Sequence, residues 1–65
     1  MKILVNGVWR ETVAPQLAAL LDELSYAESV VATAVNGEFV AASVRAQTAL
    51  SEGDRVEVLT PMQGG

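Results

Sequence analysis

Two Asn-Gly pairs constrain the fold of this chain more than any other feature of its sequence. The first, Asn6-Gly7, follows an apolar run at residues 3–5, and the second, Asn36-Gly37, follows a run rich in β-branched residues at 30–35. Asn and Gly both tolerate the positive φ that a two-residue type I′ turn requires. The sequence therefore predicts two antiparallel hairpins, and the return strand of the first is expected at residues 8–13.

The first hairpin has an unusual pattern of side chains. A two-residue turn places Trp9 beside Leu4 on the neighbouring strand. In that register Ile3 and Val5 share one face with Arg10, whereas Leu4 and Trp9 share the other. Both faces carry large apolar side chains, so the sequence leaves open which of them packs in the core.

A helix is predicted between the two hairpins. Leu17, Leu20, Leu21 and Leu24 follow the i, i+3, i+4, i+7 spacing of one helical face. Pro15 suits a position in the first turn, where its missing N–H leaves no hydrogen bond unmade. We interpret the leucine stripe as core packing.

The second half of the chain is predicted to contain four further segments after the second turn. Residues 38–40 form the return strand of the second hairpin, and residues 41–50 are irregular with a short helical turn. Residues 51–54 have the composition of a turn. Residues 55–60 alternate between apolar and charged side chains, as a half-buried strand does, and Pro61 ends that strand because it has no N–H to donate.

The order hairpin, helix, strand, short strand and final strand predicts an α+β fold. The simplest topology is a β-grasp, a mixed sheet of about four to five strands with one main helix across one face. Its first and last strands are adjacent and parallel at the centre of the sheet. We expect one domain over residues 1–60 and a flexible C-terminal tail over residues 61–65 that leaves the last strand into solvent.

Composition excludes several classes of function. The 65 residues include no Cys and no His, which removes thiolate metal sites, the commonest metal ligand and the commonest general base. The net charge of −4 is opposite to that of a nucleic-acid-binding domain. No stretch is long enough to span a membrane and no leader pattern is present. We expect a cytoplasmic protein that is not an enzyme and binds no metal or cofactor itself.

The sequence ends in Gly64 and Gly65. Without Cβ atoms, two glycines can enter a narrow channel and adopt dihedrals that other residues cannot. The carboxylate at the tip is a group that an ATP-using enzyme could activate. The alternative is an ordinary frayed terminus.

These residues together resemble one family. The stretch AVNGEFV at residues 34–40, the stretch SEGDRVEVLTPMQGG at residues 51–65, the early Asn-Gly turn and the leucine-striped helix resemble ThiS, the ubiquitin-like sulfur carrier of thiamine biosynthesis. The resemblance covers essentially the whole chain. The chain departs from the family in two places. At residues 8–11 polar and apolar side chains do not alternate simply, and residues 41–45, after the fourth strand, lack the proline that many relatives have there.

The resemblance implies a recycled protein co-substrate. A ThiF-like adenylating enzyme, using ATP and magnesium, converts the Gly65 carboxylate to an acyl-adenylate. Sulfur from cysteine, delivered by a desulfurase relay, then replaces AMP and leaves a thiocarboxylate. A ThiG-like thiazole synthase accepts that sulfur. Gly64, Gln63 and Met62 are the tail residues presented to both partner active sites.

Exposed apolar residues are candidates for the surface that docks these partners. Aromatic residues and Met are enriched at interface centres, which selects Phe39, Trp9 and Met62. Leu59 is added because it alternates with Val56 and Val58 and faces away from a helix that covers those valines.

Other readings remain open from the sequence. The nearest is the small subunit of molybdopterin synthase, the MoaD-like sulfur carrier, which shares the fold, the terminal glycines and adenylation; the two-residue turn and short length favour ThiS. A carrier for another sulfur pathway, a ubiquitin-like protein modifier, or a non-catalytic ubiquitin-like interaction module are further alternatives.

Overall fold

A computed structural model of the chain describes residues 1–26 and 29–61. Within these ranges the chain forms a single sheet of five strands with one α-helix and one 3-10 helix. The elements in chain order are β1 (Lys2–Val5), β2 (Val8–Glu11), α1 (Leu17–Glu23), β3 (Ala32–Val35), β4 (Glu38–Val40), the 3-10 helix (Ala42–Gln47) and β5 (Arg55–Leu59).

The sheet has the order β2-β1-β5-β3-β4. The first and last strands, β1 and β5, pair in parallel at its centre, whereas β1–β2, β3–β4 and β3–β5 are antiparallel. Helix α1 connects the first hairpin to the second. Its buried leucines join the inward-facing residues of the sheet in one apolar core. This arrangement confirms the predicted α+β fold with β-grasp topology.

Both predicted Asn-Gly turns are present. Asn6 and Gly7 have φ values of 49° and 81°, and Asn36 and Gly37 have values of 51° and 84°. These positive angles are the ones that a type I′ turn needs, and few residues other than Asn and Gly adopt them without strain. In the first hairpin Leu4 pairs with Trp9, so the predicted register is confirmed.

The structure answers which face of the first hairpin is buried. Ile3 and Val5 face the helix and are 0% and 5% exposed. Arg10 lies opposite Ile3 on the same face yet remains exposed, because β2 is the edge strand and has no buried residue. Leu4 and Trp9 therefore lie on the face that no helix covers.

Helix α1 begins later than predicted. Gln16 is its N-cap, with extended backbone (φ −150°), and the Gln16 Oε1 accepts a 2.7 Å hydrogen bond from the Ala19 N–H. Pro15 precedes this cap, so its predicted place in the first turn is wrong. The leucine stripe is core as predicted, since Leu17 and Leu20 are fully buried.

The predicted strands are slightly too long. β2 ends at Glu11, because the Thr12 hydroxyl accepts a hydrogen bond from the Ala14 N–H and the chain turns toward the helix. β3 begins at Ala32 and β5 ends at Leu59, rather than at residues 30 and 60. Apolar side chains extend the sequence pattern past the point where backbone pairing stops.

The 3-10 helix is tied to the sheet through one arginine. The Arg45 Nε donates to the Thr33 hydroxyl (3.0 Å), and a terminal guanidinium nitrogen donates to the Val31 carbonyl (2.7 Å). The Thr33 hydroxyl in turn donates to the Val40 carbonyl (2.8 Å). Thr33 is only 2% exposed, so its hydroxyl connects three elements from within the core.

Replacing Thr33 with Val tests this connection. Thr33→Val keeps the shape of the side chain but leaves the Val40 carbonyl without its hydroxyl donor and the Arg45 Nε without its acceptor. We expect the free energy of unfolding to fall by about 1–3 kcal/mol, the usual cost of an unpaired buried group. Urea denaturation monitored by circular dichroism measures the change.

The exposed Thr60 provides the matched control. Thr60→Val makes the same chemical change at the surface and should shift the free energy of unfolding by less than about 0.5 kcal/mol. Equal losses of unfolding free energy in the two variants would show that the two hydrogen bonds of the Thr33 hydroxyl do not stabilise the fold.

Candidate functional site

The chain leaves the sheet at the end of its central strand. Leu59, the last residue of β5, pairs with Ala32 on β3. Thr60 and Pro61 follow outside the ladder and are exposed. Pro61, the one described residue of the predicted tail, therefore lies just beyond the end of the middle strand of the sheet.

The remaining tail residues predicted to act are Met62, Gln63, Gly64 and Gly65. They lie outside the described residues. Their roles in carrying sulfur and entering partner active sites stay predictions, as does the boundary between residues 1–60 and 61–65.

Strand β5 separates buried from exposed side chains by strict alternation. Val56 and Val58 are 1% and 4% exposed and pack under the helix. Arg55, Glu57 and Leu59 face the opposite side. Leu59 is 66% exposed, which is the orientation that the alternation in the sequence predicts.

An apolar patch surrounds Leu59 on the helix-free face. Leu59 pairs with Ala32, and Phe39 of β4 pairs with Ala34, so all four side chains share one face. We call Ala32, Ala34, Phe39 and Leu59 the sheet patch. With Thr33 and Glu57, these residues line a shallow cleft of about 100 Å³. Phe39 is 74% exposed, and the small alanines leave room between it and Leu59.

Trp9 lies on the same face but away from the sheet patch. It is 58% exposed on the edge strand β2, opposite Leu4, which is level with Arg55 at the start of β5. Four strand spacings of about 4.8 Å separate β2 from β4, so the Trp9 and Phe39 backbones are roughly 19 Å apart. The structure brings Leu59 and Phe39 together and leaves Trp9 at the far edge.

A second apolar cleft lies where the tail begins. Its volume is about 300 Å³, and we call it the tail-root cleft. Its lining residues are Val30, Val31, Ala32, Leu59, Thr60 and Pro61. Val30 is 82% exposed there, whereas the run of β-branched residues at 30–35 predicts that it belongs to a strand and does not indicate a binding site. The sequence signal for this exposed apolar site was the pair Val30-Val31, which precedes the four residues of β3.

The surface charge near the sheet patch is sparse. Arg55 and Glu57 lie on the outer face of β5, and Glu57 borders the cleft beside Phe39. No three His, Cys, Asp or Glu side chains cluster as a metal site in residues 1–26 and 29–61. In the same described part of the chain, no helix is long and apolar enough to cross a membrane.

The geometry of the two clefts suits the binding of another molecule. Two adjoining apolar clefts share Ala32 and Leu59 and lie directly beside the point where the chain exits. A protein that covered both clefts would bury apolar surface next to Thr60 and Pro61. An exposed patch of this kind, rimmed by polar residues, is typical of an interaction site.

Comparisons with known proteins agree on one family. A family model described as the ThiS family matches residues 3–65. The chain is similar to the crystal structure of the thiamine biosynthesis protein ThiS from Geobacter metallireducens, with 32% sequence identity, a TM-score of 0.82 and 100% of each chain covered. No match was found among curated proteins. With its sequence matched from residue 3 to residue 65 and its fold matched over its full length, the chain belongs to the ThiS family.

Proposed function

We propose that this protein is a sulfur carrier of thiamine biosynthesis whose Gly65 carboxylate is converted to a thiocarboxylate. Family membership over residues 3–65 supports the carrier role, and the similar Geobacter protein is described as a thiamine biosynthesis protein. The observation that carries the proposal is the position of β5. The strand that leads to Gly64 and Gly65 is central, held on both sides, and ends beside an exposed apolar patch.

The chemistry begins with activation of the terminal carboxylate. A carboxylate becomes a useful electrophile only when its oxygen is made a good leaving group. A ThiF-like enzyme with ATP and magnesium supplies this step: the Gly65 carboxylate attacks the α-phosphate of ATP, pyrophosphate leaves and an acyl-adenylate forms. The protein itself supplies the carboxylate and the means of presenting it.

Sulfur then replaces the nucleotide. A persulfide that the desulfurase relay has loaded with sulfur from cysteine attacks the acyl carbon, AMP departs, and a thiol then reduces the S–S bond of the acyl persulfide by forming a disulfide with the relay sulfur. The resulting Gly65 thiocarboxylate donates its sulfur to a ThiG-like thiazole synthase, which regenerates the carboxylate. The absence of Cys from the sequence leaves the terminal thiocarboxylate as the reactive sulfur of the carrier.

The residues before the tip have a steric role. Gly64 has no side chain to obstruct a narrow channel, and Gln63 and Met62 offer no strong nucleophile to intercept the adenylate. Together they extend the tip beyond Pro61. Two partners of different structure can then receive the same tail in turn.

Docking depends on the sheet patch. Leu59 and Phe39 supply exposed apolar area beside the exit of the chain, and Ala32 lies between the two clefts. Trp9 extends the surface toward the opposite edge of the sheet. Aromatic side chains contribute strongly to interface energies, and Leu59 adds exposed apolar area beside Phe39, so these two residues are proposed as its centre.

Removing the last residue tests the chemistry. Incubated with the adenylating partner, ATP, magnesium and a sulfur source, the intact protein should gain the mass of one oxygen-to-sulfur exchange. Deletion of Gly65 should abolish this gain, because the carboxylate then ends one residue short of the reacting centre. Electrospray mass spectrometry of the intact protein measures both.

Gln63→Ala is the control, since it changes the tail but keeps its length. It should still be modified, and the circular dichroism of both variants should match that of the parent. A truncated protein that still gains sulfur, or an intact one that never does, contradicts the carrier proposal. Supplying the product to thiazole synthase or to molybdopterin synthase then distinguishes the two carrier pathways.

A charge placed in the sheet patch tests the docking surface. Leu59→Glu buries a carboxylate against an apolar partner surface, so the KM for the carrier in adenylation should rise. An apolar contact of about 1–2 kcal/mol corresponds to an increase of roughly five- to thirtyfold. ATP–pyrophosphate exchange at varied carrier concentration measures KM.

Val13→Glu is the matched control. Val13 is 92% exposed on the connection between β2 and α1, so it receives the same charge away from the sheet patch. Its KM should stay within about twofold of the parent value, as expected for a surface site outside the interface. An equal rise in both variants would assign the effect to net charge.

A further inference from the structure

The parallel pairing of β1 with β5 stops before β5 ends. Leu4 pairs with Arg55 and Val5 with Val56, and the backbone N–H of Asn6 donates to the Val56 carbonyl (3.0 Å). The chain then turns away into β2. No backbone of β1 therefore reaches the next residue of β5 that points to this edge, Val58.

The side chain of Asn6 takes the place of the missing strand. Its Nδ2 donates to the Val58 carbonyl (3.1 Å), and its Oδ1 accepts from the Val58 N–H (2.8 Å). An amide side chain presents one acceptor and a donor in the same plane, as a peptide group does. Both backbone groups of Val58, a residue 4% exposed, are thereby satisfied.

Asn6 consequently extends the two-sided support of β5 almost to its end. On the other side, β3 holds the strand through the pairing of Ala32 with Leu59. With Asn6 in place, β5 is bonded at Val58 on one edge and at Leu59 on the other. Without it, support on the β1 edge ends at Val56.

We propose that Asn6 is a positioning residue for the carrier tail, which it serves by fixing the direction in which the chain leaves β5. This inference rests on the proposed carrier function. Leu59 follows Val58 directly, so an added freedom at Val58 is passed to the whole segment that leads to Gly65. A partner must then order this segment before the carboxylate can react, and a small misplacement of a reacting group is enough to slow a reaction strongly.

Asn36 provides a natural control within the same chain. It has the same Asn-Gly context and a similar φ of 51°. Its Oδ1 accepts from the Arg55 N–H (2.9 Å) and its Nδ2 donates to the Asp54 Oδ1 (3.0 Å). Asn36 thus clamps β5 at its beginning, whereas Asn6 clamps it at the end that leads to the tail.

The test compares two variants at each asparagine. Asn6→Gly and Asn36→Gly keep the positive φ and remove the side-chain amide, so both should unfold at lower urea concentration. Asn6→Asp and Asn36→Asp keep an acceptor for the strand N–H but place a carboxylate oxygen where the amide donated. Asn6→Asp retains the bond from the Val58 N–H and serves if Asn6→Gly does not fold, whereas in Asn36→Asp the new carboxylate also repels that of Asp54.

The carrier reaction should separate the two positions. For Asn6→Gly we expect the kcat of thiocarboxylate formation to fall about tenfold, which is the change in rate that corresponds to the net energy of an ordinary hydrogen bond. KM should change by less than about twofold. Both constants should stay within about twofold of the parent for Asn36→Gly. Hydrogen exchange should show loss of protection of the Val58 and Leu59 amides in Asn6→Gly and of the Arg55 amide in Asn36→Gly.

Each other outcome has a definite meaning. If the Asn6 and Asn36 variants lose the same kcat for the same loss of stability, Asn6 has a structural role only and the inference is overturned. A rise in KM with unchanged kcat also overturns it, because the side chain then acts on docking. If the parent protein never gains sulfur, the carrier function itself fails and the positioning role fails with it.

Discussion

The central strand β5 must be hydrogen-bonded along both edges, although each neighbouring strand ends in a tight turn. Backbone pairing supplies most of these bonds, and the turn asparagines supply the rest: Asn36 holds Arg55 and Asn6 holds Val58. A buried peptide group left without a partner destabilises a small domain by an appreciable part of its total stability. The Asn-Gly pairs are therefore structural in two ways, since the glycine and asparagine permit the turn and the asparagine side chain completes the sheet.

The same strand joins stability to binding. Its inward residues, Val56 and Val58, belong to the core, and its outward residue Leu59 belongs to both exposed clefts. A substitution that tilts β5 to improve the core therefore also moves the proposed docking surface.

Much of this architecture follows from local patterns in the sequence. The Asn-Gly turns, the leucine stripe and the alternation in β5 are short-range signals, and the structure has all three. The misplaced Pro15 and the shortened strands reflect competition that pattern reading does not include: Gln16 and Thr12 bond to nearby backbone and end one element before the next begins. The buried face of the first hairpin depended on β2 being an edge strand, which is a property of the whole sheet.

The sequence predicted the exposure of Leu59 and Phe39 in the candidate site, but it did not predict that of Val30. Val30 lies in an irregular segment, and the exposure of such a segment depends on what packs beside it.

The parallel pairing of β1 and β5 also has a mechanical consequence. The chain enters the sheet at the start of β1 and leaves it at the end of β5, so Lys2 and Leu59 lie at opposite ends of two adjacent parallel strands. A force that pulls the ends apart slides the strands along each other and strains the bonds at Leu4 and Asn6 simultaneously. Bonds loaded in shear share the force, whereas bonds peeled from one end break in turn. The parallel pairing of β1 with β5 therefore makes this small domain resist extension along the direction of its central strands.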